Sequence, residues 1–169
     1  ADLVVTVNMS GVELREPSCA RVVAAVLADT GCPAEALTVE VTETNALVEG
    51  TPALASMAAL QARGVRLLLD DFGVGYGSLH VLRDAPVAGF KLDRRFVRSM
   101  LEDSRDWAIV TALLKLARGL PADVVAEGVE TPDQSRALAR LGCRRQQGYL
   151  FARPLPEAAL RGWALPEAA

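Results

Sequence analysis

Short apolar runs alternate with amphipathic stretches along most of the chain. Leu3 to Val7 (LVVTV) is a brief, β-branched, continuously apolar run, the pattern of a buried strand. Residues 17–31 (PSCARVVAAVLADTG) read as a helix. Pro17 stands near its start, Val22, Val23, Val26 and Leu27 share a face, and Gly31 ends it. Residues 37–43 (LTVEVTE) form a second strand. Residues 51–64 form a second helix, with Thr51 as N-cap, Pro52 in the first turn and Gly64 as the stop. VRLLL (65–69) and VAGFKL (87–92) are the third and fourth strands, joined through a short helical connector around Ser78 to Arg83. A helix follows from about Asp106 to Arg118, with Trp107, Val110, Leu113 and Leu114 on its apolar side. DVVAEG (123–128) is the fifth strand. A Thr131–Gln134 capping box opens a helix over 131–142, and CRRQQGYLF (143–151) holds a sixth, weaker strand. The tail from Leu155 is one short helix and a frayed end.

Six β–α alternations predict a parallel sheet with helices outside it, in one α/β domain over residues 1–169. The polar residues then fall into a pattern. Strand one ends at Asn8. Strand two carries Glu40, with Glu43 just after, and strand three runs into Asp70 and Asp71. Strand four ends at Lys91 with Asp93 beyond, strand five at Glu127 with Glu130 beyond, and strand six at Gln147. A lone Asp after a strand is usually a turn former or helix cap. Six strands that each deliver a polar group to the same end predict a (β/α)8 TIM-like barrel, whose chemistry sits on that face.

Asn, Asp and Glu offer only oxygen, which suits a hard divalent cation, Mg2+ or Mn2+, better than zinc. There are more carboxylates than one cation needs, so a pair of ions is expected, of the kind that activates a bridging water and clamps phosphate oxygens. Lys91 is suited to hold the water or to neutralise developing charge. Asp93 and Glu130 are candidates for substrate binding or regulation. The glycines of GVGYG (73–77) allow the loop to bend sharply, approach a ligand or change conformation. His80, the one histidine, reads as structural or surface.

Composition narrows the partners. The chain is 51% hydrophobic and 23% charged, with a net charge of −3 and no basic block for a nucleic-acid duplex or an anionic membrane. Cys19, Cys32 and Cys143 are odd in number and form no metal-ligand spacing, as expected of thiols in a reducing cytoplasm. No apolar run approaches the roughly 18 residues of a membrane span. The start has no basic segment or cleavage site of a signal peptide.

In order, VTVNMS, LTVEVTE, LLLDDFGVGYGSL, FKLDRRFV, VVAEGVET and QQGYLFARPL resemble the EAL-domain cyclic di-GMP phosphodiesterases over nearly the whole chain. The resemblance implies that Asn8, Glu40 and Asp70 are metal ligands and that Asp71 serves a second metal. It implies that Lys91 and Glu127 hold or activate the catalytic water, that Gln147 is a further active-site residue, and that Glu43 anchors the loop Phe72 to Leu79. It implies hydrolysis of cyclic di-GMP to linear pGpG with Mg2+ or Mn2+, a homodimer, and fusion to or control by other signalling domains.

Two departures qualify it. The only Glu-Ala-Leu string, Glu35 to Leu37, lies at a strand entrance, so the chain is expected to begin at the family's third strand and to form an incomplete barrel. Val74 and Gly77 stand where the family loop carries hydroxyls. An opened barrel exposes two edges, here Leu3 to Val7 and Arg144 to Gln147, and predicts low stability, dimerisation or aggregation, with impaired turnover. The competing readings are a non-catalytic module of the same fold that binds the dinucleotide or a protein, and another barrel enzyme with oxygen-ligated Mg2+.

Overall fold

The structure, a computed structural model, describes residues 3–42, 51–73, 82–120 and 122–160. Six strands lie in sequence order, each parallel to the next: β1 (Val5–Met9), β2 (Leu37–Thr42), β3 (Arg66–Phe72), β4 (Gly89–Leu92), β5 (Asp123–Ala126) and β6 (Arg145–Gln146). Parallel neighbours need a crossover, and helices supply it between β1 and β2, β2 and β3, β4 and β5, and β5 and β6: α1 (Gly11–Arg15), α2 (Cys19–Thr30), α3 (Pro52–Gln61), α4 (Arg94–Ser99), α5 (Ser104–Gly119) and α6 (Pro132–Arg140). A short α7 (Glu157–Leu160) follows. The sheet is a curled arc of a (β/α) barrel.

Side chains alternate across a strand, and the alternation sorts this sheet into two faces. Val39, Val41, Leu67, Leu69, Phe90, Leu92 and Ala126 are buried in apolar clusters with the helices. Their neighbours Thr38, Glu40, Asp70 and Lys91 take the opposite, concave face. One cluster packs β2 and β3 on Leu14, Met57 and Leu60 of α1 and α3. Another packs β4 and β5 on Val97, Val110, Leu114 and Leu138 of α4, α5 and α6. Leu69, Phe72, Phe90 and Ala117 join them, with the Phe72 and Phe90 rings stacked 4.2 Å apart.

Several sequence expectations need correction. The first strand is Val5–Met9 rather than Leu3–Val7, because pairing with β2 starts at Val5 opposite Leu37. Asn8 therefore lies inside the strand and not at its end. Val22 and Val26 are exposed, while Val23 and Leu27 meet the core, so α2 buries a narrower face than its valines suggest. Trp107 is exposed although Val110 and Leu114 of the same helix are buried. Two short helices add to the expected set. Ser10 opens α1 through a capping box with Glu13, and Asp93 caps α4 by accepting from the Arg95 N–H. The connector expected around Ser78 to Arg83 falls mostly outside the described residues; 82–84 are helical.

Candidate active site

The pairing of β3 with β4 explains how two adjacent carboxylates reach one place. Leu69 pairs with Phe90 and Phe72 with Leu92, so Asp70 and Asp71 together stand opposite the single residue Lys91. This is a β-bulge. It requires Asp71 to adopt φ 55°, the one positive φ outside glycine among the described residues. Asp tolerates that left-handed conformation better than a β-branched residue does. The Asp71 N–H donates to Asp70 Oδ1 at 3.0 Å, which fixes the pair locally. The extra residue also lets Leu69 and Phe72, three positions apart, both point into the helix-side core. Strict alternation would put them on opposite faces.

Lys91 is the hub. Its Nζ lies 2.6 Å from Glu40 Oε2 and 3.2 Å from Asp70 Oδ1, and it is bonded to Glu127 Oε1. Its side chain is only 6% exposed. Burial alone would push this ammonium down, but the bonds to Glu127 and Glu40 and the charge of Asp70 outweigh it and hold the pKa above its ordinary value. Glu127 is held above the ordinary carboxylate range, chiefly by burial, with Asp70 and Glu40 adding to the effect and Lys91 opposing it. Asp71 is raised as well, by burial and by the neighbouring carboxylates of Asp70 and Asp93.

Asp70, Asp71 and Glu127 each place a carboxylate oxygen within 4.8 Å of the others. An all-oxygen donor set of this spacing fits a hard divalent cation. Asn8 is the cross-strand partner of Glu40, so its side chain leaves the sheet beside that carboxylate, although Asn8 itself is exposed. Glu127 follows β5 and anchors its N–H on the Leu92 carbonyl. Gln147 follows β6. Its N–H donates to the Ala126 carbonyl and its own carbonyl accepts from Val129, which sets it next to the β5 end while its side chain stays exposed.

Glycines permit the two close approaches at this rim. Gly128 has φ 64°, and a Cβ there would come within 2.5 Å of the Arg94 Cβ. A Cβ on Gly148 would run into the Val129 carbonyl. Glu130 is exposed and outside the acidic cluster, and its N–H donates to Gln134 in the capping of α6. Asp93 is buried, and its carboxylate lies against Asp71 and is bonded by Arg95. Arg95 was not among the sequence candidates. Its one signal is its place, two residues after Asp93 in LDRRF. Glu43 lies outside the described residues, as does the loop after Gly73 as far as 81.

A (β/α) barrel arc with acidic and amide side chains at its strand ends defines a class of domains whose chemistry sits at the barrel mouth. The EAL domain model matches residues 1–154, and the chain belongs to the EAL domain family. It is 39% identical over 156 residues to the bifunctional diguanylate cyclase/cyclic di-GMP phosphodiesterase MucR of Pseudomonas aeruginosa, covering 92% of this chain and 23% of that protein. A solved MucR phosphodiesterase in complex with c-di-GMP superposes with a TM-score of 0.86 at 38% identity, over 93% of this chain and 64% of that one. BlrP1 of Klebsiella pneumoniae, solved with manganese and cyclic di-GMP, superposes with a TM-score of 0.84 at 30% identity, over 91% of this chain and 40% of that one. The chain spans 20–26% of the length of the first curated relatives it matches. No described helix is long and apolar enough to cross a membrane.

Proposed function

We propose that this chain contributes the active-site wall of a cyclic di-GMP phosphodiesterase that forms linear pGpG with two divalent cations, Mg2+ or Mn2+. The observation that carries the reading is the meeting of Asp70, Asp71 and Glu127 oxygens within 4.8 Å, beside a lysine bonded to three carboxylates. In this reading Asn8, Glu40 and Asp70 hold one cation, and Asp71 with Asp70 or Glu127 holds the other. The ions supply charge for the phosphate oxygens and acidify water. Lys91 and Glu127 orient that water: the lysine donates, and the carboxylate accepts a proton as attack proceeds. Gln147 and Asp93 line the approach, Glu43 anchors the loop after Asp71, and Glu130 contacts substrate or transmits control.

Residues 1–169 form about three-quarters of a complete EAL barrel in this proposal, carried in a longer cytoplasmic signalling protein that functions as a dimer. Glu-Ala-Leu occurs in this sequence only at 35–37, with Glu35 and Ala36 in the 3-10 turn Ala34–Ala36 and Leu37 opening β2. Turnover by these residues alone is therefore expected to be low. A non-catalytic binding module is the second reading, and one observation favours it: Lys91 bridges Glu40, Asp70 and Glu127, so one ammonium holds the three carboxylates together and offsets part of their charge.

The test is incubation with cyclic di-GMP and Mn2+, both of these residues and of a polypeptide extended by an EAL-motif strand, with chromatography of the products. Appearance of pGpG, lost in Asp70→Asn, supports the enzyme. Tight binding of cyclic di-GMP without product from the extended chain supports the module.

A further inference from the structure

We propose that Arg95 is a positioning residue that withholds the Asp93 carboxylate from the cation site, so that Asp71 and not Asp93 faces the ion. The inference rests on the cation-dependent reading above. Asp93 is buried and its carboxylate touches that of Asp71. It lies outside the Asp70–Asp71–Glu127 cluster. What occupies Asp93 is Arg95. Asp93 Oδ1 accepts from the Arg95 backbone N–H at 2.7 Å and from its Nε at 3.1 Å, and Oδ2 faces its Nη2 at 3.5 Å. Both oxygens are therefore engaged by one residue, through the cap of α4 and through the planar guanidinium fork that suits a carboxylate.

The consequence is a division of labour between two carboxylates in contact. Asp71 sits on the bulge with its backbone fixed by Asp70 and presents its oxygen to Asp70 and Glu127. Asp93 is committed to a cation the protein itself carries. Too many carboxylates on one ion reduce its ability to polarise water and phosphate, so holding one back preserves that ability. The Arg95 side chain is 62% exposed, lying at an open cavity lined by Gly73, Phe96, Ser99 and Asp106. Its removal leaves the α4 cap bond from the backbone intact.

The experiment is Mn2+ titration of the purified chain by calorimetry and by the electron-spin signal of free Mn2+. Wild type, Arg95→Ala, Arg95→Lys and the same alanine in an Asp93→Ser background are compared, Ser being chosen because it still caps the helix. Circular dichroism checks the fold. Arg95→Ala is expected to bind Mn2+ about fivefold more tightly, the order expected of one charge interaction near the surface, and Asp93→Ser is expected to erase the gain. Arg95→Lys keeps the charge but lacks the fork and is expected to fall between. Where product is measurable in the extended chain, kcat falls in Arg95→Ala while KM holds.

Unchanged or weaker Mn2+ binding in Arg95→Ala overturns the inference, and so does a gain that persists in the Asp93→Ser background. If the alanine variant fails to fold, Arg95→Lys decides: tighter binding supports the proposal and a wild-type isotherm refutes it. A wild-type chain that binds no Mn2+ overturns the proposed function, and the inference with it.

Discussion

Asp70 and Asp71 share one cross-strand position, opposite Lys91, and this shared place is what brings two sequence-adjacent carboxylates to one face of the sheet. Without the bulge, alternation would send one carboxylate to the concave face and the other into the apolar cluster around Phe72 and Phe90. The strain at Asp71 is thus tied to the placement of the donor atoms.

Asp71→Asn is expected to keep the fold, since Asn accepts the left-handed conformation, while weakening Mn2+ binding tenfold or more. Asp71→Val should lose about 1–3 kcal/mol of stability in addition, because a β-branched residue resists φ 55°. Urea unfolding of the two variants beside Mn2+ titration separates strain from ligation.

Lys91→Met leaves Glu40, Asp70 and Glu127 facing one another with no counter-charge. The cation-free variant is expected to lose about 3–5 kcal/mol, as when one partner of a buried ion pair is removed. Saturating Mn2+ should return part of that loss, read as a rise in melting temperature larger than in wild type.

The cation-free protein should become less stable as pH rises from about 4.5 toward neutrality. Glu127 and Asp71 hold protons more tightly folded than unfolded, so their contribution is full below the ordinary carboxylate values of 4.5 and 3.8 and fades through the higher folded values. Asp93 runs the opposite way: Arg95 lowers its pKa against the effect of burial, so its contribution fails only in stronger acid. Lys91, raised, loses its contribution only at strongly alkaline pH. Melting curves of wild type and Glu127→Gln across this range check the sign, and the variant should show the shallower slope.

Gly148→Ala should be far more damaging than Gly31→Ala. Both introduce one methyl, but at Gly31 it meets open space and only the positive φ resists, a cost of about 1 kcal/mol. At Gly148 it meets the Val129 carbonyl, a backbone atom that cannot yield without breaking the bonds that position Gln147. Paired denaturation curves test the ranking.

β1 pairs only with β2 among the described residues, and Val5 and Val7 are exposed along it. Such an edge invites pairing with another chain. The 169 residues alone are expected to associate with rising concentration in light scattering. Val5→Lys with Val7→Lys should suppress this without changing Mn2+ binding.

Much of this architecture was legible in the sequence because burial writes a local period. LTVEV, RLLL and GFKL alternate with helices that carry their own caps, such as Thr131 with Gln134, and neighbours in the chain are neighbours in the sheet. The acidic residues at the strand ends and Lys91 were legible for the same reason. Only the tertiary structure decided that Asp70 and Asp71 point the same way, that Asn8 lies inside its strand opposite Glu40, that Val22 and Val26 stay exposed, and that Arg95 occupies Asp93. Each depends on which residue of one element meets which of another. Hydrophobic period is a property of one segment, whereas register, bulges and ion pairing arise only when segments are brought together in space.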